Sequence, residues 1–173
     1  MKALFLDIDS VLNSYEDWKK AGNAVYNNNY DSIKHEIAVY DKPLQCPISR
    51  VINIDMLNKL KYIIDQTKCN VIGISSWFNN INDIHRFNEE TGLNLCDIGY
   101  YTGGSYIRYD AVLQYLKDND QYTHAVILDD IPFMKCGLDN IHVCPKDGID
   151  ESHVSQCIDI LNTQWRTLCE FDN

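Results

Sequence analysis

The chain contains no apolar run that approaches the length needed to cross a bilayer, and the short run from Lys2 to Leu6 is too brief for a signal peptide. The expectation is a soluble, cytoplasmic protein with no membrane partner. Positive charge is also scarce: 15 Lys and Arg stand against 25 Asp and Glu, a formal net charge of -10. That balance disfavours broad contact with a nucleic-acid backbone, which needs clustered cations, but it leaves room for a small phosphorylated ligand. The seven cysteines, at 46, 69, 96, 136, 144, 157 and 169, show no CxxC spacing, and the five histidines show no ligand spacing. Neither zinc nor a disulfide framework is indicated, and the thiols read as reduced, most of them as small core residues.

What the chain does have is acid at the ends of apolar runs. Leu4-Phe5-Leu6 leads into Asp7-Ile8-Asp9, and Ala125-Val126-Ile127-Leu128 leads into Asp129-Asp130. Read as a strand over 3–9, the first run sends Asp7 and Asp9 to one side of the pleat at its carboxyl end, where open α/β sheets place their ligands. Carboxylates held that close repel unless a cation shares them. Two strands delivering acids to one edge would build a hard, oxygen-lined site suited to Mg²⁺. A third run, Asn70 to Ile74, ends at Ser75-Ser76-Trp77. Taken singly, an acid or serine after a strand reads as a turn residue or a helix cap. Three such endings in one chain point to a shared site.

The rest of the chain alternates strand and helix. Met56, Leu57, Leu60, Ile63 and Ile64 recur at helical spacing after Ile54, and a helix near 80–91 ends at Gly92. A helix near 106–118 precedes a strand at 124–129. A last strand, Ile141 to Cys144, leads through Pro145 to an amphipathic helix carrying Val154, Ile158 and Leu161. The 173 residues and 45% hydrophobic content fit one compact domain with a two-sided sheet core. The fold class is therefore α/β: a three-layer, Rossmann-like parallel sheet with right-handed helical crossovers.

In that order, Asp7-Ile8-Asp9-Ser10-Val11, Ser75 after a strand, and Leu128-Asp129-Asp130 after another resemble the motifs of the haloacid dehalogenase-like (HAD) phosphohydrolase superfamily. Val11-Leu12-Asn13 and Ser75-Ser76-Trp77 look most like the small HAD domains of RNA-repair proteins and phage-type phosphatases. The resemblance implies Asp7 as nucleophile, Asp9 as general acid and base, and Ser75, with Ser76 beside it, as contacts to the phosphoryl group. Asp129 and Asp130, together with Asp7 and the backbone carbonyl of Asp9, are implied as the Mg²⁺ ligands. Two departures stand out. Ser10 occupies a position where the family usually has Gly, and Arg108 stands where the third motif usually places Lys; Lys117, late in the same helix, is a poorer substitute. Arg is as permanent a charge as Lys and offers a better fork for phosphate, so the same role is expected of it.

The segment 14–50 is rich in Asn and Tyr and has no clear period. On composition it reads as a long surface loop. The resemblance makes it a small cap or lid inserted after the first strand, too short for a full cap domain. An open lid suits a bulky substrate, and Trp18, Tyr26, Tyr30 or Tyr40 could stack on a base. The expected activity is a Mg²⁺-dependent phosphomonoesterase working through an aspartyl-phosphate on a nucleotide or nucleic-acid end. The alternative is a catalytically silent HAD-fold module that binds a phosphorylated ligand or a protein partner. Asp9, which a binding module does not need, favours the enzyme.

Overall fold

The computed structural model describes residues 1–40, 50–78, 80–98, 105–132 and 138–163. Cys46, Cys136 and Cys169 lie outside the described residues. Five strands form one parallel sheet: β1 (Lys2–Leu6), β4 (Asn70–Gly73), β5 (Leu95–Ile98), β6 (His124–Asp129) and β7 (Asp139–His142). Their spatial order is β5-β4-β1-β6-β7. β1 is central, with Leu6 in register with Gly73 of β4 on one side and Leu128 of β6 on the other. This is the parallel, Rossmann-like sheet expected from the sequence.

Alternation along the central strands divides the apolar residues between two faces. Leu4, Leu6, Val71, Val126 and Leu128 pack on one side with α2 (Ile54–Thr67), α3 (Ile81–Thr91) and α5 (Glu151–Thr163). Ala3, Phe5, Ile72, Ala125 and Ile127 pack on the other with Tyr109, Val112, Tyr115 and Leu116 of α4 (Ser105–Asp118). A strand buried on both faces needs a continuous apolar run, which is what these segments supply.

The helix boundaries follow local chemistry. Asn53 caps α2 by accepting from the backbone N–H groups of Asp55 and Met56, and Asn80 and Asp83 form a reciprocal capping box at the start of α3. Gly92 ends α3 at φ +67°, a left-handed conformation that glycine adopts without steric cost.

Three elements differ from the sequence reading. β1 stops at Leu6, not at residue 9. Leu12 N–H donates to the Ile8 carbonyl and Ser10 has φ +65°, so the chain has already turned where Asp9 stands. β5 has no separate counterpart in the sequence reading, because Leu95-Cys96-Asp97-Ile98 is too short to show a period. The last strand occupies Asp139–His142, two residues earlier than expected.

The stretch after the first motif is not a structureless loop. It contains α1 (Tyr15–Tyr26), a 3-10 turn at Tyr30–Ser32, and an antiparallel pair, β2 (Ile37–Tyr40) and β3 (Arg50–Asn53). Ser14 and Asp17 cap α1 reciprocally. Ala21, Ala24, Ile33, Ile37 and Val51 give the insert its own small core. The two ends of the insert are tied together, since Asn53 Nδ2 donates to Asp17 Oδ1 at 2.9 Å and Asn53 N–H to the Leu12 carbonyl at 2.8 Å.

Gly73 closes β4 under an aromatic lid. A Cβ at this position would lie 2.5 Å from two carbons of the Phe78 ring and 3.2 Å from Leu95 Cδ2. Phe78 is itself packed edge-on against Phe87, with centroids 5.2 Å apart, and has little room to retreat. Gly73→Ala should therefore destabilise the protein by about 1–3 kcal/mol, read as a lowered urea midpoint with unchanged slope.

Candidate active site

In an open parallel sheet the ligand crevice lies beyond the carboxyl ends of the strands, where the order of connection reverses. Here the chain runs outward from β1 through β4 to β5, then crosses back to β6 and β7, so the reversal falls between β1 and β6. Asp7 and Asp129 stand at that point. Asp7 follows the last residue of β1, and its N–H donates to the Leu128 carbonyl at 3.0 Å; Asp129 ends β6. Both are buried, Asp129 completely.

Arg108, near the start of α4, reaches into this edge. Its Nη1 lies 3.1 Å from Asp7 Oδ2 and 2.6 Å from Asp129 Oδ2, and the residue is only 6% exposed. One guanidinium thus bridges two buried carboxylates from neighbouring strands. Lys117 is exposed at the far end of the same helix, away from this contact. Ser75, buried just past β4, hydrogen-bonds Asp7, whereas Ser76 is exposed.

The electrostatics reflect crowding. Burial pushes the Asp7 carboxyl above the usual range and Asp130 adds to it, while Arg108, the Ser75 hydroxyl and the Ile8 N–H pull it back. Burial, then the charge of Asp7, pushes Asp129 up to about 7, against the opposing pull of Arg108 and of the Ile131 N–H. One bridging cation leaves the pair under-neutralised.

A divalent ion would relieve that excess. Asp7, Asp129 and Asp130 each offer a carboxylate oxygen within 4.8 Å of the others. The donor set is all oxygen and anionic, which fits a hard cation such as Mg²⁺ and not a thiol-seeking metal.

Asp9 is placed differently. It is half-buried and its side chain does not belong to the three-carboxylate group. Its Oδ1 accepts from Asn13 Nδ2 at 3.2 Å and its Oδ2 from Trp77 Nε1 at 3.0 Å. Asn13 is fully buried: its Oδ1 accepts the Ser10 N–H at 2.7 Å, and its amide also donates to the Val51 carbonyl of the insert at 2.8 Å. This brace holds the left-handed Ser10 that replaces the expected glycine. Asn13 is the residue that sequence reasoning passed over as a site member. Its signal was its place four residues after Asp9, within reach across a tight turn.

The residue pattern and the geometry converge with a sequence-family match. The profile of the HAD domain in Swiss Army Knife RNA repair proteins matches residues 3–154. The chain belongs to this family. No curated protein and no solved structure matches it. The matched span of this HAD domain includes Asp7, Asp9, Ser75, Arg108, Asp129 and Asp130, together with the whole insert. Within the insert, the four aromatics offered as base-stacking residues divide: Tyr40 packs edge-on against Trp77, Trp18 packs against the insert core, Tyr30 is half-buried, and Tyr26 is 90% exposed. No described helix is long and apolar enough to cross a membrane.

Proposed function

We propose that this HAD domain is a Mg²⁺-dependent phosphomonoesterase that works through an aspartyl-phosphate on a nucleotide or nucleic-acid-end phosphate. The observation that carries the reading is the buried Asp7 at the sheet's reversal point, bridged by Arg108 to Asp129 and touched by Ser75. Asp7 is the nucleophile: its carboxylate forms a bond to phosphorus as the ester P–O bond breaks. Asp9 gives its proton to the departing oxygen, then takes one from the water that cleaves the acyl phosphate and restores Asp7. Arg108 and Ser75 hold the phosphoryl oxygens, where positioning and charge neutralisation account for most of the catalysis. Asp7, Asp129 and Asp130, with the carbonyl of Asp9, would hold Mg²⁺, which supplies further neutralisation of the phosphoryl charge. The preference for a nucleic-acid end draws on the family's RNA-repair setting and on an insert whose length reads as too short for a full cap domain.

Phosphate release should be screened over mononucleotides, 3'- and 5'-phosphorylated oligonucleotides and sugar phosphates, with and without Mg²⁺. Release from the nucleic-acid substrates only with metal is the expected result; no release from any substrate sinks the proposal in favour of a silent binding module. An equilibrium measurement tests the metal site separately. At one hundred times its dissociation constant, Mg²⁺ should raise stability by about 2.7 kcal/mol, because it binds the folded cluster and hardly binds the unfolded chain. Asp129→Ala should remove most of that shift in melting temperature, and equal melting of the wild type with and without millimolar Mg²⁺ would rule the cluster out as a metal site.

A further inference from the structure

Asp9 lies past the end of β1, so strand geometry does not aim its side chain, and something else must. We propose that Trp77 is a positioning residue for Asp9, and that the insert hairpin keeps Trp77 in place. The inference rests on the phosphatase reading for its consequence in turnover, but the contact itself is independent of it.

The geometry is specific. Trp77 follows the motif serine by two residues and is 5% exposed, deep among Phe78, Phe87 and Tyr40. An indole has one donor and no acceptor, so a buried Trp must find one partner for Nε1. Here the partner is a carboxylate oxygen of Asp9 at 3.0 Å. The opposite carboxylate oxygen takes the Asn13 amide, so the group is gripped from both sides. A carboxylate has about four lone-pair sites, and these two donors use two of them, leaving sites open for the proton that Asp9 must carry.

Trp77 in turn is steadied by the insert. The Arg50 guanidinium, at the start of β3, lies 5.4 Å from the Trp77 ring centroid, in cation–π range, and Tyr40 on the paired strand β2 meets the ring edge-on at 6.1 Å. Register pairs Tyr40 with Arg50 directly across the hairpin. The hairpin therefore touches the acid and base through one buried ring. Asn13 adds a second link, since the same amide that holds Asp9 also donates to Val51 of β3. On this account the insert's role is to aim Asp9, beyond any part it has in covering the site.

The test separates aiming from plain packing. Trp77→Phe keeps an aromatic ring and removes the N–H. With an alkyl phosphate, whose leaving group needs a proton, turnover should fall by about tenfold, the effect of losing one hydrogen bond to a charged group. With an activated aryl phosphate the loss in the first step should nearly vanish. In the Asp9→Asn background, adding Trp77→Phe should cost less than a further factor of about two, because the two changes act on one interaction. The same loss in both backgrounds, or for both esters, overturns the proposal. If Trp77→Phe does not fold, Arg50→Met gives the same pattern at smaller amplitude, about threefold with the alkyl phosphate, and an Arg50→Met enzyme with no leaving-group dependence overturns it equally. A readout free of turnover is the indole N–H resonance of Trp77 in the Mg²⁺-loaded protein. Asp9→Asn should move it upfield, and an unmoved resonance rejects the contact whatever the enzyme does. A moved resonance in a protein that releases no phosphate would instead reject the phosphatase reading and leave the grip on Asp9 standing.

Discussion

Asp7→Asn should abolish phosphate release while the protein remains folded. The amide has the shape of the carboxylate, so it fits the same space beside Arg108 and Ser75, but it cannot attack phosphorus. Removing one negative charge from a crowded, buried cluster also removes the repulsion by which Asp7, after burial itself, pushes Asp129 upward. Thermal stability without metal should accordingly hold or rise in Asp7→Asn, whereas the Mg²⁺-dependent increase should shrink. Turnover should drop to the background of a metal-only control, measured as inorganic phosphate released from the best substrate of the screen. Retention of wild-type turnover in a folded Asp7→Asn variant would falsify the covalent mechanism.

Arg108→Ala should act on both stability and activity. The guanidinium pairs with both Asp7 and Asp129, and all three residues are buried. Taking away one partner of a buried ionic cluster leaves the others uncompensated, at a cost of about 3 kcal/mol. The same substitution removes a fixed cation from the phosphoryl site, so kcat/KM should fall by about two to three powers of ten. Mg²⁺ binding to the bared carboxylates should return part of the lost stability, making the metal-dependent rise in melting temperature larger in the variant than in the wild type. Arg108→Lys should recover part of the activity, since it restores the charge without the fork. Near-normal turnover by Arg108→Ala would show that some other group supplies the third-motif cation.

How legible this was in the sequence depended on how far each feature reached along the chain. Runs such as Leu4 to Leu6 and Ala125 to Leu128 announce buried parallel strands because burial on both faces demands unbroken apolarity. Their terminal acids then share an edge once the strands are neighbours, so Asp7, Ser75 and Asp129 could be grouped from order alone. Arg108 could be guessed only through the resemblance, because nothing local distinguishes a helix-start arginine bound to buried acids from one in solvent. The insert was opaque for a different reason. Its core is five small or medium residues spread over α1, the end of the 3-10 turn and the paired strands, too few for a periodic signal, although the Ser14–Asp17 capping box was present to be read. The roles of Asn13 and Trp77 toward Asp9 depend on contacts across a tight turn and across 68 residues, which no window of sequence displays.

The central position of β1 has a consequence for how the protein comes into being. Among the described strands of this sheet β1 comes first along the chain yet lies in the middle, and its two neighbours are far downstream: Leu6 pairs with Gly73 on one edge and with Leu128 on the other. Until the ribosome has delivered β6, one edge of a strand that is apolar from Ala3 to Leu6 has no partner, and such edges invite pairing with other chains. Contacts of this sequence separation also slow folding, because the loop must close before any reward is gained. Asp7 and Asp129 can meet only once β6 has paired with β1, so the acidic cluster cannot form before those two strands join. Early recruitment of a chaperone or of the insert to the nascent first strand would shorten the exposed interval; the carboxylates themselves can offer no help until the sheet is closed.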